Sequence, residues 1–212
     1  MRTADLVASL AAPAGPVRPA PITRPIGLAV LAGAAVAAAL LIAWLGLRPL
    51  GEAVRTGPFW MKGGYTLALA AAGLVMAARL ARPGGRLGRA PAIVLAAVAV
   101  MAILAALEMA NARPGQGGGL WLGHTWRSCS SRIVILAAPI YVGTIWALRR
   151  LAPTRLAVAG AAAGLLAGAA AATVYGLYCQ ETTAPFVLAW YTLGVAACAT
   201  IGAILGRRLL RW

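Results

Sequence analysis

Cys129 and Cys179 each stand close to where a long apolar run meets a polar stretch. Two thiols in one place can close a disulfide, bind a soft metal ion as thiolates, or be oxidised reversibly. His124, Trp126 and Glu181 are near them in sequence and are candidate auxiliary groups: an imidazole, an interfacial indole and a carboxylate. Most of the remaining chain is Ala, Leu, Gly and Val, so the chemically versatile side chains concentrate in one layer. Two readings stand for the pair, a structural bridge and a sensor of metal or redox stress, and the residues alone leave both open. Cys198 lies at a small-residue position inside an apolar run, where a free cysteine packs as a small apolar side chain. His124 is as well placed for an interfacial polar role as for ligation, and Glu108 for a headgroup contact.

The elements that must position these residues are apolar spans. Of the 212 residues, 62% are hydrophobic, and the mean hydropathy is +0.84, too apolar for a soluble domain of this size. A bilayer core about 30 Å thick needs about 20 apolar residues per helix. Six stretches qualify, at 26–47, 63–80, 92–110, 133–148, 156–178 and 186–205. The fourth is the shortest and contains Pro139, a candidate kink that membrane helices tolerate. Uninterrupted runs exclude barrel strands, which would alternate. The expected fold is therefore all-α, a polytopic six-transmembrane-helix bundle, divided into a cytoplasmic segment 1–25, a membrane domain 26–205 and a basic tail 206–212.

Four acids, Asp5, Glu52, Glu108 and Glu181, face eighteen arginines and the single lysine, Lys62, for a net charge of +15. The arginines fall between apolar segments rather than along one face, so the charge reads as membrane topology and not as direct nucleic-acid binding. Thirteen basic residues lie in the N-terminal segment, the second-to-third and fourth-to-fifth loops and the tail; six lie on the other side. Arginine and lysine collect in cytoplasmic loops, which puts both termini inside and the Cys129 and Cys179 layer outside. Trp60, Trp121, Trp126 and Tyr178 suit the outer aromatic belt, and Trp212 the inner one.

Small residues recur every fourth position in two spans: Gly160, Gly164, Gly168, Ala172 and Gly176 in the fifth, and Gly194, Cys198, Gly202 and Gly206 in the sixth. Positions i and i+4 share a face, so each span presents a flat groove for close helix approach. Packing within the bundle, one stripe against the other, is the expectation; a homodimer through one stripe is the competing one. Near the N-terminus, Thr3 is a candidate cap for a short helix with Asp5 in its first turn and Leu6, Val7 and Leu10 together on its surface. Five prolines between Pro13 and Pro25 make the next stretch an extended spacer. A short apolar helix on a spacer is either a partner-binding element or an interfacial anchor.

Enzyme signatures are missing: no Ser-His-Asp set, zinc-type cysteine spacing or phosphate-binding glycine loop occurs, and Gly115–Gly119 reads as an outer loop. No enzyme and no obligatory cofactor are expected. A membrane thiol–disulfide oxidoreductase would explain outer cysteines, but needs a CxxC-type pair. A small transporter or efflux component would need ionisable groups in mid-span, where this chain has almost none.

An ordered set of motifs runs along nearly the whole chain: Asp5-Leu-Val-Ala-Ser-Leu10 with Pro16-Val17, Phe59-Trp60-Met-Lys62 with Tyr65-Thr-Leu, Gly123-His-Thr-Trp-Arg-Ser-Cys129, Ala152-Pro-Thr-Arg155, Cys179-Gln-Glu181, Phe186 with Trp190-Tyr-Thr-Leu-Gly194, and Gly206-Arg-Arg-Leu-Leu-Arg-Trp212. Together they resemble the NrsF-type negative regulators of sigma F, six-helix anti-sigma factors of bacterial inner membranes. The resemblance implies that an extracytoplasmic-function sigma factor is the protein partner, held inactive on the cytoplasmic side and released under stress that includes heavy metals. It also implies that Cys129 and Cys179 are the sensing pair, with a soft heavy-metal ion as a signal rather than a resident cofactor. It does not extend to Cys198. The shape of the N-terminal segment makes Asp5, Leu6 and Leu10 the expected sigma contacts.

Overall fold

The computed structural model describes residues 2–12, 22–113 and 117–211, with the side chains of all these except Leu10 and Ala11. Among them the order is α1 (Thr3–Ala11), α2 (Thr23–Trp44), α3 (Leu50–Ala53), α4 (Gly57–Leu80), α5 (Ala90–Ala110), α6 (Gly117–Leu122), α7 (Trp126–Arg149), α8 (Leu156–Tyr175), α9 (Ala184–Phe186), a π-helical turn (Val187–Tyr191) and α10 (Thr192–Leu209), with no strand. Six of these helical stretches are long and apolar enough to cross a membrane. Three helices carry a proline at the second helical position (Pro58, Pro91 and Pro185), where the missing N–H would have had no partner.

α8 is the hub. It packs against α10, α4 and α7; α2 lies along α7, and α5 is peripheral against α4. The two small-residue stripes face each other across the α8–α10 seam. A Cβ on Gly168 would stand 2.7 Å from the Cys198 Cβ, and one on Gly206 would stand 2.7 Å from the Gly160 Cα. Gly164 meets the Cys198 backbone and Gly202 meets Gly160, while Gly194 turns instead to the Ile133 side chain. A homodimer through either stripe would have to use a surface these helices already share. Gly33 plays the same part for α2, where a Cβ would lie 3.0 Å from the Pro139 carbonyl oxygen of α7.

Several boundaries differ from the sequence reading. The fourth span does not begin at 133: α7 starts at Trp126 and runs unbroken through Pro139, so it is not the shortest. Residues Gly117–Leu122 form a short helix rather than a loop. Pro25 belongs to the first turn of α2 instead of the spacer, and α10 continues through Arg207 and Arg208 of the expected tail. Thr3 does not cap α1; the Asp5 carboxylate accepts the Arg2 N–H at 3.3 Å. Leu6 and Val7 are exposed on α1. The Leu10 side chain, the spacer at 13–21 and Trp212 lie outside the described residues.

Candidate functional site: two buried cysteines under a pinned turn

Cys129 sits in the first turn of α7, its N–H bonded to the Thr125 carbonyl at 3.0 Å. Cys179 ends the turn that closes α8, its N–H bonded to the Tyr175 carbonyl at 3.0 Å. Both are free thiols, and both are 0% exposed. The thiols lie beneath the surface, in one apolar cluster with Tyr175, Phe186, Val187 and Tyr191. The start of the sixth span covers them. Its π-helical turn is anchored to α7 by Ser130, whose hydroxyl donates to the Trp190 carbonyl at 2.8 Å. Single π-helical turns inside helices occur frequently at functional sites.

The Cys129 thiol neighbours the Tyr175 hydroxyl, and the Cys179 thiol the Tyr191 hydroxyl. The two rings stand 5.9 Å apart. Among the described residues neither hydroxyl has a hydrogen-bond partner. A buried polar group left unpaired costs about 1–3 kcal/mol, so this pocket of thiols and phenols is a place where a new partner is stabilising.

The turn after Cys179 is held from every side. Its carbonyl accepts from Lys62 Nζ at 2.9 Å and from Arg48 Nη1 at 3.1 Å. The same ammonium also donates to the Glu181 carbonyl. Cations at the carbonyl end of a helix are favourable. The Glu181 carboxylate reaches back to α7, accepting the N–H of His124 at 2.7 Å and of Thr125 at 3.1 Å. A carboxylate at a helix N-terminus satisfies free donors and complements the helix dipole. Glu108 does likewise for α9, accepting the Ala184 N–H at 2.7 Å. Glu108 is therefore a helix anchor rather than a headgroup contact.

Of the auxiliary groups, Glu181 lies at the site as a structural clasp. Trp126 is half-buried and packs against Trp190, with ring centroids 5.3 Å apart. His124 is not brought to the thiols. Its side chain is 99% exposed, 3.9 Å from Glu181, and among the described residues no three His, Cys, Asp or Glu gather into a metal-holding group. An open cleft of about 490 Å³, lined by His124, Tyr178, Gln180 and Glu181, lies beside the turn.

A family model described as negative regulator of sigma F matches residues 10–212. The chain belongs to the negative regulators of sigma F. Among relatives of this family, the anti-sigma-F factor of Caulobacter vibrioides is 46% identical over 218 residues, and the probable anti-sigma-F factor of Azospira oryzae is 42% identical over 213 residues. Each is matched along the whole of both chains. These relatives are named as regulators, not enzymes. No solved structure matches the chain.

For this member of the negative regulators of sigma F, sequence reasoning missed Lys62, Arg48, Tyr175 and Tyr191. Lys62 lies inside α4 and is 3% exposed. Its signal was its type, the one lysine in an arginine-rich chain. A compact ammonium with three donors suits two converging carbonyls better than a planar guanidinium does. Lys62→Met is expected to lower stability by about 2 kcal/mol, since hydrogen bonds to a charged group contribute roughly 1.5–3 kcal/mol. It should also raise maleimide labelling of Cys179 in purified protein. An unchanged unfolding midpoint and unchanged labelling would remove Lys62 from the account.

Proposed function

We propose that this chain is an inner-membrane anti-sigma factor, with both termini in the cytoplasm, that holds an extracytoplasmic-function sigma factor and releases it when Cys129 and Cys179 react. The stimulus is either a soft heavy-metal ion or an oxidant. The observation that carries this reading is the burial of two thiols, one in the first turn of α7 and one just after α8, in one core cluster. The names of the full-length relatives supply the partner class.

In the resting state the thiols pack as small apolar groups. A soft cation binds both sulfurs as thiolates, and two protons leave. An oxidant instead takes two electrons from the pair, two protons leave, and an S–S bond forms, which needs Cα atoms roughly 4.4–6.8 Å apart. Either product changes the volume and polarity of a close-packed core. Such cores do not deform smoothly, so the first turn of α7 and the end of α8 must repack. These two helices are joined at their other ends by the Arg150–Arg155 turn, which gives a short route to the sigma-binding side. Release requires that the reacted state bind sigma less well; a coupling of about 1–3 kcal/mol changes affinity by roughly 5–150-fold.

α1 is the sigma-binding element in this account, through Asp5, Leu6 and Leu10. Exposed Leu6 and Val7 on a short helix fit a partner's apolar groove. The test co-expresses the cognate sigma factor. Wild-type membranes should retain it, and deletion of residues 2–11 should shift most of it to the soluble fraction. Full retention by the deletion variant would take α1 out of the account.

A further inference from the structure

The end of the bundle far from the cysteines carries a groove of about 880 Å³, bordered by Ile22 at the entry to α2, Val75, Ala78 and Arg79 of α4, and Arg82 and Arg86 of the following loop. Its base is apolar, and its rim is basic. Arg79, Arg82 and Arg86 are exposed. Among the described residues none has a carboxylate within ion-pair distance; the one such contact is His124 with Glu181. The other acids offer no relief. Glu108 and Glu181 cap helices around the thiols, Glu52 lies in α3 before α4, and Asp5 bonds its own helix start. The groove is therefore a fixed positive field over an apolar floor with no internal counter-charge.

Its wall is also pre-formed. The loop turns through a Gly85 N–H bond to the Arg82 carbonyl at 3.0 Å, and the Gly84 N–H is tied to the Thr154 hydroxyl of the α7–α8 connection at 3.2 Å. Gly84 takes a positive φ of 70°, which a side chain would resist. A rigid wall reduces the ordering cost of binding. Arg150 is spent on its own Trp146 ring, 3.9 Å away.

We propose that this groove is a second docking surface for the sigma factor, taking an acidic peptide segment with apolar side chains on one face. The proposal rests on the anti-sigma reading above. The acidic groups pair with Arg82 and Arg86 while the apolar face covers Val75, Ala78 and Ile22. α1 and the groove then hold the partner at two points. The chain between Ala12 and Ile22 spans at most roughly 35 Å, so a partner gripped by α1 is always within reach of the groove, and the second contact forms at high effective concentration. Because the loop is hydrogen-bonded to the α7–α8 connection, movement of α7 and α8 also reshapes this contact.

The experiment uses the full-length protein in nanodiscs and the purified sigma factor, with Kd measured at low and high salt. Arg82→Glu with Arg86→Glu is expected to weaken binding tenfold or more at low salt and to flatten the salt dependence, as reversal of steering charges does, by roughly an order of magnitude. Arg82→Lys with Arg86→Lys should retain most of the affinity and shows that the loop still folds. Arg79 is left in place because its guanidinium packs against Gly88. Affinity of the reversed variant equal to wild type overturns the proposal. So does a weakening seen only in anionic phosphatidylglycerol discs and absent from neutral phosphatidylcholine discs, which would assign the arginines to lipid headgroups. No sigma binding by the wild type at all would instead overturn the functional reading itself, and the groove with it.

Discussion

Gly164→Val is expected to prevent assembly of the folded bundle. Gly164 lies against the Cys198 and Ala199 backbone of α10, and a Cβ there would stand 2.8 Å from the Cys198 carbonyl carbon and 2.9 Å from the Ala199 Cα. Backbone cannot step aside as a side-chain tip can, so the two helices must separate along the seam. α8 is the hub of the fold, and separation there also loosens its contacts with α4 and α7. Overpacking a well-packed core costs typically about 1–3 kcal/mol; a backbone clash at a close-packed helix seam should reach the top of that range or beyond. Detergent-purified Gly164→Val should show a much lower yield of monodisperse protein and a clearly depressed unfolding midpoint. Gly27→Ala is the matched control, because nothing lies within 4 Å of the added methyl group, and it should be neutral or slightly stabilising. A Gly164→Val protein as stable as wild type would show that close approach is not what holds α8 to α10.

The seam was readable in the sequence because it depends on a local rule. Small residues four apart must share a helix face, and Gly160, Gly164, Cys198 and Gly202 obey it. The six spans were readable for a similar reason, since hydropathy and length are properties of one segment. The start of α7 was not. Ser128, Ser130, Ser131 and Arg132 look like loop, but the hydroxyls are satisfied inside a helix. Ser131 bonds the Ser128 carbonyl at 3.0 Å, and Ser130 bonds the Trp190 carbonyl at 2.8 Å. The helix start is fixed by Glu181, 57 residues away in sequence from His124, whose N–H it accepts. The role of Lys62 was hidden in the same way, because its carbonyl partner at Cys179 is 117 residues distant. Motifs located the two cysteines. Their burial beneath the sixth span depends on packing that no local pattern records.

That burial bears directly on how a stimulus is read. Thiols with no exposure are protected from casual oxidants, and a cleft lined by His124, Tyr178, Gln180 and Glu181 opens beside the turn above them. In the proposed function, a reagent that enters past the turn held by Lys62, Arg48 and Glu181 also loosens the clasp between α8 and α7. Cys198 packs against Gly168 in the seam instead.

In the proposed function, reaction at Cys129 and Cys179 lowers affinity for sigma. The most direct measurement is release of labelled sigma factor from the full-length protein in nanodiscs during titration with Cd²⁺, followed by fluorescence anisotropy. Wild type should release sigma with a fall in affinity of roughly 5–150-fold, reversed by a chelator. Cys129→Ser and Cys179→Ser should each bind sigma normally and lose the response, because one thiolate cannot bridge the two helices, while Cys198→Ser should respond as wild type. Release of sigma by Cd²⁺ from both Cys129→Ser and Cys179→Ser, with the wild-type titration midpoint, would contradict the account.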